Sequence, residues 1–555
     1  MRLARRFLLP AATVGAIVEV VLLAHRAVYL APLNVDEELT LRVSEFSFGH
    51  IFHIVSTERG GGPLHFWLEH VVLGWSHSLV ALRVPSLVFF CLALPAVALV
   101  ARELVGSEAA AATVLLVAAA PVPESYATFG RPHAMLFAWI MWGTVAALRA
   151  AVTGSRGWWI AAGAFLGSSI FVHPTAPLYA LVAFAGALLY ARRPPHRLVR
   201  EAWPGVLALG LTFLPYWVAT LGVLGDRYGV SAGARQGRTF SGRPVWDDAI
   251  HFLAPSRHLW NWFTVLALVG FLVLLLRRQW RAALFLALTV VASIVFFTYV
   301  PANGLAALFF DRYMIPAAPG FLALVAAGCA VVPVRFALVR LVVLAGIAAW
   351  LLTIEIRVDV PRQNRLLGLR LGEITHAVAA ERRDSVLFGT TGSGDPNNAA
   401  GAFTFGRPAN VLDRYLSLRV AGLRVVDDDA CVRVAPFLVA PSPPLHGLWV
   451  FYAAFPEQAD AAARAFAGAS GVTVARPAPQ YFLIRSRQAL PPRQLVEAGL
   501  RLRRRWQSAV PANPRVSELV AADTAALAGP SACRPYGVLD DPDITPNWPI
   551  EGAAN

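Results

Sequence analysis

The residues best suited to chemistry begin with an acidic pair, Asp36-Glu37, just beyond an apolar run that starts near residue 7. Carboxylates so placed can do acid–base work, or they can mark a solvated loop or cap the helix that follows. Further ionisable groups recur beside other apolar runs: Glu58, His65, Glu69, His70, Glu124, Arg131, His133, His173, Asp311 and Arg312. Such groups next to hydrocarbon are costly unless they pair or line a cavity. Glu58, His133 and His173 offer one oxygen and two imidazoles from separate loops, a set that suits Zn²⁺ or another transition metal better than Mg²⁺. The plainer alternative has His133 capping its helix and His173 filling the turn before Pro174. Arg312 and Arg131 can each present a planar guanidinium to two oxygens of a phosphate. Either could equally be a snorkelling anchor, with Tyr313 as the interfacial aromatic beside Arg312. Gly392-Ser393-Gly394 lacks the Lys-Ser/Thr of a nucleotide-binding loop and reads as a turn.

The elements that must hold these residues follow from composition. The 555 residues are 57% hydrophobic and 15% charged, with a mean hydropathy of +0.56, which is too apolar for a soluble chain of this length. The net charge of +14 is not gathered into a stripe with interleaved aromatics, so nucleic acid is not the expected partner. Crossing about 30 Å of hydrocarbon takes about 20 apolar residues. Candidate spans fall near 7–30, 79–101, 107–122, 132–152, 157–172, 174–191, 203–222, 261–277, 281–300, 312–333 and 336–356. The fold class expected is thus an α-helical polytopic membrane protein, of about 11 transmembrane helices, with a C-terminal α/β extracytoplasmic domain.

Arginines at 2, 5, 6, 102, 149, 156, 192, 193, 197, 200, 277, 278, 281, 335 and 340 fall on one face if 157–191 is a hairpin, and that face is the cytoplasm. The N-terminus is then inside, and the chain after Arg357 outside. Residues 1–356 form the membrane domain, with outer-face loops 31–78 and 223–260, and 357–528 read as a soluble α/β domain. Apolar bursts at 385–389, 447–451 and 480–484 predict buried strands there, and 529–555 predict an irregular tail. In the first outer loop, 50–57 and 63–75 predict helices lying in the interface. Cys431 and Cys533, both in the exported part, are expected to form a disulfide.

The order and placement of several short stretches resemble the membrane-embedded glycosyltransferases of the C superfold, in the branch of the protein O-mannosyltransferases and the lipid A aminoarabinose transferase. The stretches are Asp36-Glu37, Gly62-Pro63-Leu64-His65-Phe66-Trp67, Leu82-Arg83-Val84-Pro85-Ser86, Gly130-Arg131-Pro132-His133 and Asp311-Arg312-Tyr313. The chain departs from the pattern at Gly60-Gly61-Gly62-Pro63, where many relatives have two prolines, and at His133, where relatives carry a carboxylate. The resemblance implies inverting transfer of a sugar from a polyprenyl-phosphate donor to an acceptor (glycan, lipid or protein) at the outer face. Asp36 is then the general base, Glu37 an orienting group, and Arg312 with Arg131 the grip on the donor phosphate. A transporter or flippase of a lipid-linked sugar would need midplane charges and internal repeats, which the sequence does not show. A non-catalytic envelope scaffold would not need the clustered carboxylates and histidines.

Overall fold

The computed structural model describes residues 2–30, 33, 35–59, 61–120, 126–228, 257–302, 311–329, 346, 371–393, 408–426, 431–453, 456–510 and 514–529. The expected span at 336–356, the tail beyond 529 and Cys533 lie outside these residues, as does the side chain of Cys431, so the disulfide expectation does too. Two compact units make up the chain. Unit 1 holds residues 1–29, 44–71 and 83–362, and unit 2 holds 30–43, 72–82 and 363–555.

Unit 1 is helical among its described residues. Its elements are α1 (Arg2–Leu30), the end of α2 (Val35–Ser44), α3 (Phe48–His53) running on as a π-helical turn (Ile54–Arg59), and α4 (Pro63–Trp75). There follow α5 (Leu79–Val105), α6 (Ser107–Ala118), α7 (His133–Thr153), α8 (Arg156–Ser168), α9 (Ala176–Tyr190), α10 (Pro195–Tyr228), α11 (Arg257–Leu276), α12 (Trp280–Ala302) and α13 (Ala318–Cys329). Each expected span from 7–30 to 312–333 overlaps a helix among the described residues. Among the described residues, 5 helices are long and apolar enough to cross a membrane: Phe7–His25, Leu79–Val105, His133–Thr153, Pro195–Gly222 and Trp280–Phe297. The chain is a multi-pass membrane protein with helices of varied length, for Ser107–Ala118 and Ala176–Tyr190 are apolar but shorter.

The membrane helices pack through small residues. A Cβ at Gly163 of α8 would stand 1.9 Å from the carbonyl oxygen of Gly205 in α10, so these two backbones touch where any side chain would part them. That is the small-residue packing expected where lipid gives no hydrophobic drive between helices. The stretch 157–191 is a hairpin, as the sequence predicts, with a short 3₁₀ turn at Ser169–Phe171 and a bend at 172–175 between α8 and α9.

Unit 2 is built on a five-stranded sheet of order β2-β1-β3-β5-β4. Its strands are β1 (Ser385–Ser393), β2 (Arg424–Val426), β3 (His446–Ala453), β4 (Val472–Ala478) and β5 (Tyr481–Ser486). β1 runs parallel to β2 and β3, whereas β5 pairs antiparallel with β3 and β4. The predicted bursts lie in β1, β3 and β5, and they read as continuous apolar runs because β3 is buried on both faces. Trp449 and Phe451 enter one core with Phe388, Leu495 and Trp506. Their neighbours Leu448, Val450 and Tyr452 enter the other, with Leu387, Ile374 and Leu416.

The helices of unit 2 are α14 (Leu371–Glu381), α15 (Pro408–Arg419), α16 (Cys431–Val439), α17 (Pro456–Ala467), α18 (Pro492–Ala509) and α19 (Pro514–Ala528). Two earlier stretches of the chain, 30–43 and 72–82, belong to this unit. Leu33, Leu41, Leu73, Leu79 and Leu82 pack into the second core, which ties 30–43 and 72–82 to the sheet through buried leucine. Unit 2 also buries an ion pair. Arg503 of α18 donates to Asp523 of α19 at 2.5 Å, with both side chains at most 2% exposed. Burial pushes the Asp523 carboxyl above its usual range, and the Arg503 guanidinium pulls it back.

Candidate active site

Asp36 and Glu37 lie in the first turn of α2, in the part of that helix that belongs to unit 2. Glu37 is buried to 1% exposure, on an element anchored by Leu39 and Leu41. The side chains of Asp36, Glu58, Asp311 and Arg312 lie outside the described residues. The backbones of Asp311 and Arg312 form the start of a 3₁₀ segment, Asp311–Ala317, that leads into α13.

Within unit 1, His133 and His173 converge from separate stretches of chain. His133 is the first residue of α7, and its ring meets those of Tyr126 at 5.3 Å, His173 at 5.3 Å and Tyr313 at 6.0 Å. His173 in turn lies 5.3 Å from Tyr313, so three separated stretches of chain meet at one imidazole pair. The N-cap residue of this helix is Pro132, which makes no side-chain bond. His173 Nδ1 pairs with Thr175 Oγ1 at 2.8 Å and accepts from the Thr175 backbone N–H at 3.2 Å, which fixes the ring in the bend of the hairpin. Tyr179 of α9 holds the Tyr313 carbonyl through its hydroxyl, so the segment carrying Arg312 is tied beside the same cluster.

The glycine run explains how the first loop reaches this place. A Cβ at Gly62 would stand 2.2 Å from the carbonyl oxygen of Phe171 and 2.4 Å from the carbonyl carbon of Val172. Only glycine lets the two backbones approach so closely. Tyr216 of α10 donates to the Gly61 carbonyl at 2.6 Å and packs its ring, tilted by 32°, against Phe171 at 4.7 Å, closing the joint. The departure from two prolines is therefore a packing joint between the start of α4 and the turn that carries His173.

α4 then contributes His65 and Glu69, which are 2% and 0% exposed, with Nδ1 and Oε1 4.0 Å apart across one helical turn. Burial, and next the positive charge of Arg131, push the His65 imidazole down to about 3, against a smaller opposing effect of a hydrogen bond with the Gly130 backbone. His65 is therefore neutral at any physiological pH. Arg131 is half-buried, and its carbonyl accepts from Ser86 Oγ of α5 at 3.2 Å. Arg83, also buried, donates to the Val28 carbonyl in the last turn of α1 at 3.4 Å.

Sequence reasoning names His133, His173 and Arg131, and the fold brings them into one unit. It gave His65 and Glu69 no role, although their i,i+4 spacing on an apolar helix was the available signal. The metal set is met in part: two imidazoles are adjacent, but among the described residues no group of three His, Cys, Asp or Glu side chains could hold an ion.

The comparisons with known proteins can be set on this geometry. Residues 61–218 match the family model described as Dolichyl-phosphate-mannose-protein mannosyltransferase. That segment contains His65, Glu69, Arg131, His133 and His173, and the resemblance to C-superfold glycosyltransferases thus rests on a family match where the unit 1 cluster lies. No curated protein matches the sequence. Among solved structures, the chain is similar to ArnT from Cupriavidus metallidurans bound to undecaprenyl phosphate, at 15% identity and a TM-score of 0.49, covering 86% of this chain and 98% of that one. It is also similar to the Archaeoglobus fulgidus oligosaccharyltransferase in complex with Zn and sulfate, at 12% identity and a TM-score of 0.42, covering 82% and 69%. The archaeal oligosaccharyltransferase AglB from Archaeoglobus fulgidus, in complex with an inhibitory peptide and a dolichol-phosphate, is similar at 13% identity and a TM-score of 0.40, covering 83% of this chain and 71% of that one.

Proposed function

We propose that the chain is an inverting glycosyltransferase that moves a sugar from a polyprenyl-phosphate donor to an acceptor at the outer face of the membrane. The observation that carries this reading is the mannosyltransferase family match over residues 61–218, the segment that supplies the buried histidine and arginine cluster. In this mechanism Asp36 takes the proton from the acceptor hydroxyl as its oxygen attacks the anomeric carbon. The bond from that carbon to the phosphate oxygen breaks on the opposite face of the ring, and the lipid phosphate leaves. Arg131 and Arg312 neutralise the charge that develops on the phosphate. Glu37, buried in unit 2, orients the acidic turn rather than taking the proton. If Glu58 joins His133 and His173 at a transition metal, that ion would add to the same charge neutralisation. The N-terminus is cytoplasmic, by the arginine distribution.

The test is transfer measured on purified protein, as release of lipid phosphate from a polyprenyl-phosphate sugar. Asp36→Asn is expected to insert normally and to lose about 10²-fold or more in turnover, with a weaker effect of Glu37→Gln. Near-normal release by Asp36→Asn would remove Asp36 as the base.

A further inference from the structure

We propose that the solvent-facing side of α18 is a binding surface for a polyanionic glycan, one that carries carboxylate or phosphate groups along its length. The surface lies within unit 2 and does not depend on the sugar-transfer reading of unit 1. α18 is two-sided: Leu495, Val496, Leu502 and Trp506 enter the core beneath it. The opposite arc presents four arginines, Arg493, Arg501, Arg504 and Arg505, against one carboxylate, Glu497. The start of that arc is neutralised, because Arg493 and Glu497 pair at 3.4 Å across one turn. Its end is not. Arg501, Arg504 and Arg505 stand exposed within about 6 Å of helix. Arg505 Nη1 donates to the Ala465 carbonyl in the last turn of α17 at 3.3 Å, and the exposed Arg464 next to Ala465 extends the cationic surface onto that helix. Among the described residues none of Arg464, Arg501, Arg504 and Arg505 is ion-paired, and Asp460 of α17 is matched to Arg476 at 3.7 Å.

Arg501 stands at i,i+3 and i,i+4 from Arg504 and Arg505, and like charges at those spacings oppose the helix. The turn before them shows the same arc with its charges matched. An anion laid along the end of the arc offsets the repulsion, and each guanidinium fork can offer two donors to a carboxylate or a phosphate. What surrounds the arginines selects the class of anion. Neither α17 nor α18 exposes a large apolar side chain among the described residues. The surface therefore lacks the apolar centre of a protein interface and the aromatic faces on which nucleic-acid bases stack. Gln494 and Ser508 flank the arginines on the same arc, and their amide and hydroxyl groups suit the hydroxyls of a sugar. Fixed positive charge, neutral hydrogen-bonding groups and no apolar anchor together fit a charged sugar polymer. Such polymers belong to the outer face, where the proposed topology puts the chain after Arg357.

The experiment is binding of size-fractionated oligogalacturonate, and of its fully methyl-esterified form, to the purified full chain in detergent. Wild type is compared with the triple variant Arg501→Gln/Arg504→Gln/Arg505→Gln, with Arg501→Glu and with Arg493→Gln. Wild type should bind the acid, lose affinity as salt rises and ignore the ester. The triple variant should bind the acid about tenfold more weakly, and Arg501→Glu about fivefold more weakly, as expected for solvent-screened charge contacts. Arg493→Gln, which removes an arginine that is already paired, should change binding by less than about twofold. Without ligand the triple variant should unfold no earlier than wild type, since the like-charge repulsion is gone. Should it unfold earlier, Arg501→Glu alone carries the binding test. Wild-type affinity in the triple variant or in Arg501→Glu would overturn the proposal, as would equal binding of acid and ester or no binding of the acid by wild type. A polyglutamate of matched charge that binds as tightly as the oligogalacturonate would overturn the assignment to a glycan and make an acidic protein the partner.

Discussion

Both units bury ionisable side chains, and they do so in different ways. In unit 2, Arg503 and Asp523 face each other at 2.5 Å between two helices, one cation against one anion. In unit 1, His133 at the start of α7 and His173 in the α8–α9 hairpin come into ring contact with each other and with Tyr313, imidazole against imidazole rather than cation against anion. The first arrangement is complete without a ligand. The second has imidazole groups gathered from distant parts of the chain at a bend pinned by Gly62, which costs packing freedom that a structural pair does not require. Burial of charge is therefore no sign of a site by itself; convergence from several loops is the informative feature.

The largest expected effect tests the unit 2 side of this contrast. Asp523→Asn should cost about 3–5 kcal/mol, because it leaves Arg503 buried without its counter-charge, whereas Arg503→Met with Asp523→Leu should fall close to wild type. Hydrogen exchange of α18 in the full chain reads both. A double variant as unstable as the single one would mean that the pair does more than balance charge.

A smaller effect sharpens the unit 1 side. The folded pKa of His65, about 3, lies below the ordinary value of 6.5, so the unfolded chain takes up this proton first as the pH falls. The stability present above pH 6.5 is then lost progressively between 6.5 and 3, by about 2 kcal/mol at pH 5. Thermal unfolding of the purified chain should fall from pH 7 to pH 5, and His65→Gln should lessen the fall. An equal fall in wild type and His65→Gln would show that His65 is not neutral and buried as described.

The smallest effect sets the baseline for both. Arg493 and Glu497 lie 3.4 Å apart on the exposed side of α18, and Glu497→Gln should change stability by about 0.5 kcal/mol or less by denaturant titration. A change as large as that of Asp523→Asn would break the distinction between exposed and buried pairs.

Much of this architecture was legible before any coordinates. Runs of apolar residues long enough for a bilayer fix where helices must be, since backbone polar groups in hydrocarbon have no other partners. The apolar bursts at 447–451 and 480–484 mark strands buried on both faces, and the prolines near 174 and 177 mark a hairpin. Residue type likewise singled out Asp36, Arg131, His133 and His173 as capable of chemistry. What the sequence could not decide is partnership across distance. That 30–43 and 72–82 enter the sheet core of unit 2 depends on leucines whose neighbours are more than 280 residues away, as Leu82 and Leu371 show. That Gly62 meets Phe171, and that His133 meets His173, depends on how helices cross, which local periodicity does not encode. The sequence by itself determined the elements and the chemically able residues, because both follow from local hydrophobicity and side-chain type. Only the tertiary structure decided which of those residues share a low-dielectric site, because that is set by close packing of backbones at a few glycines and by long-range burial.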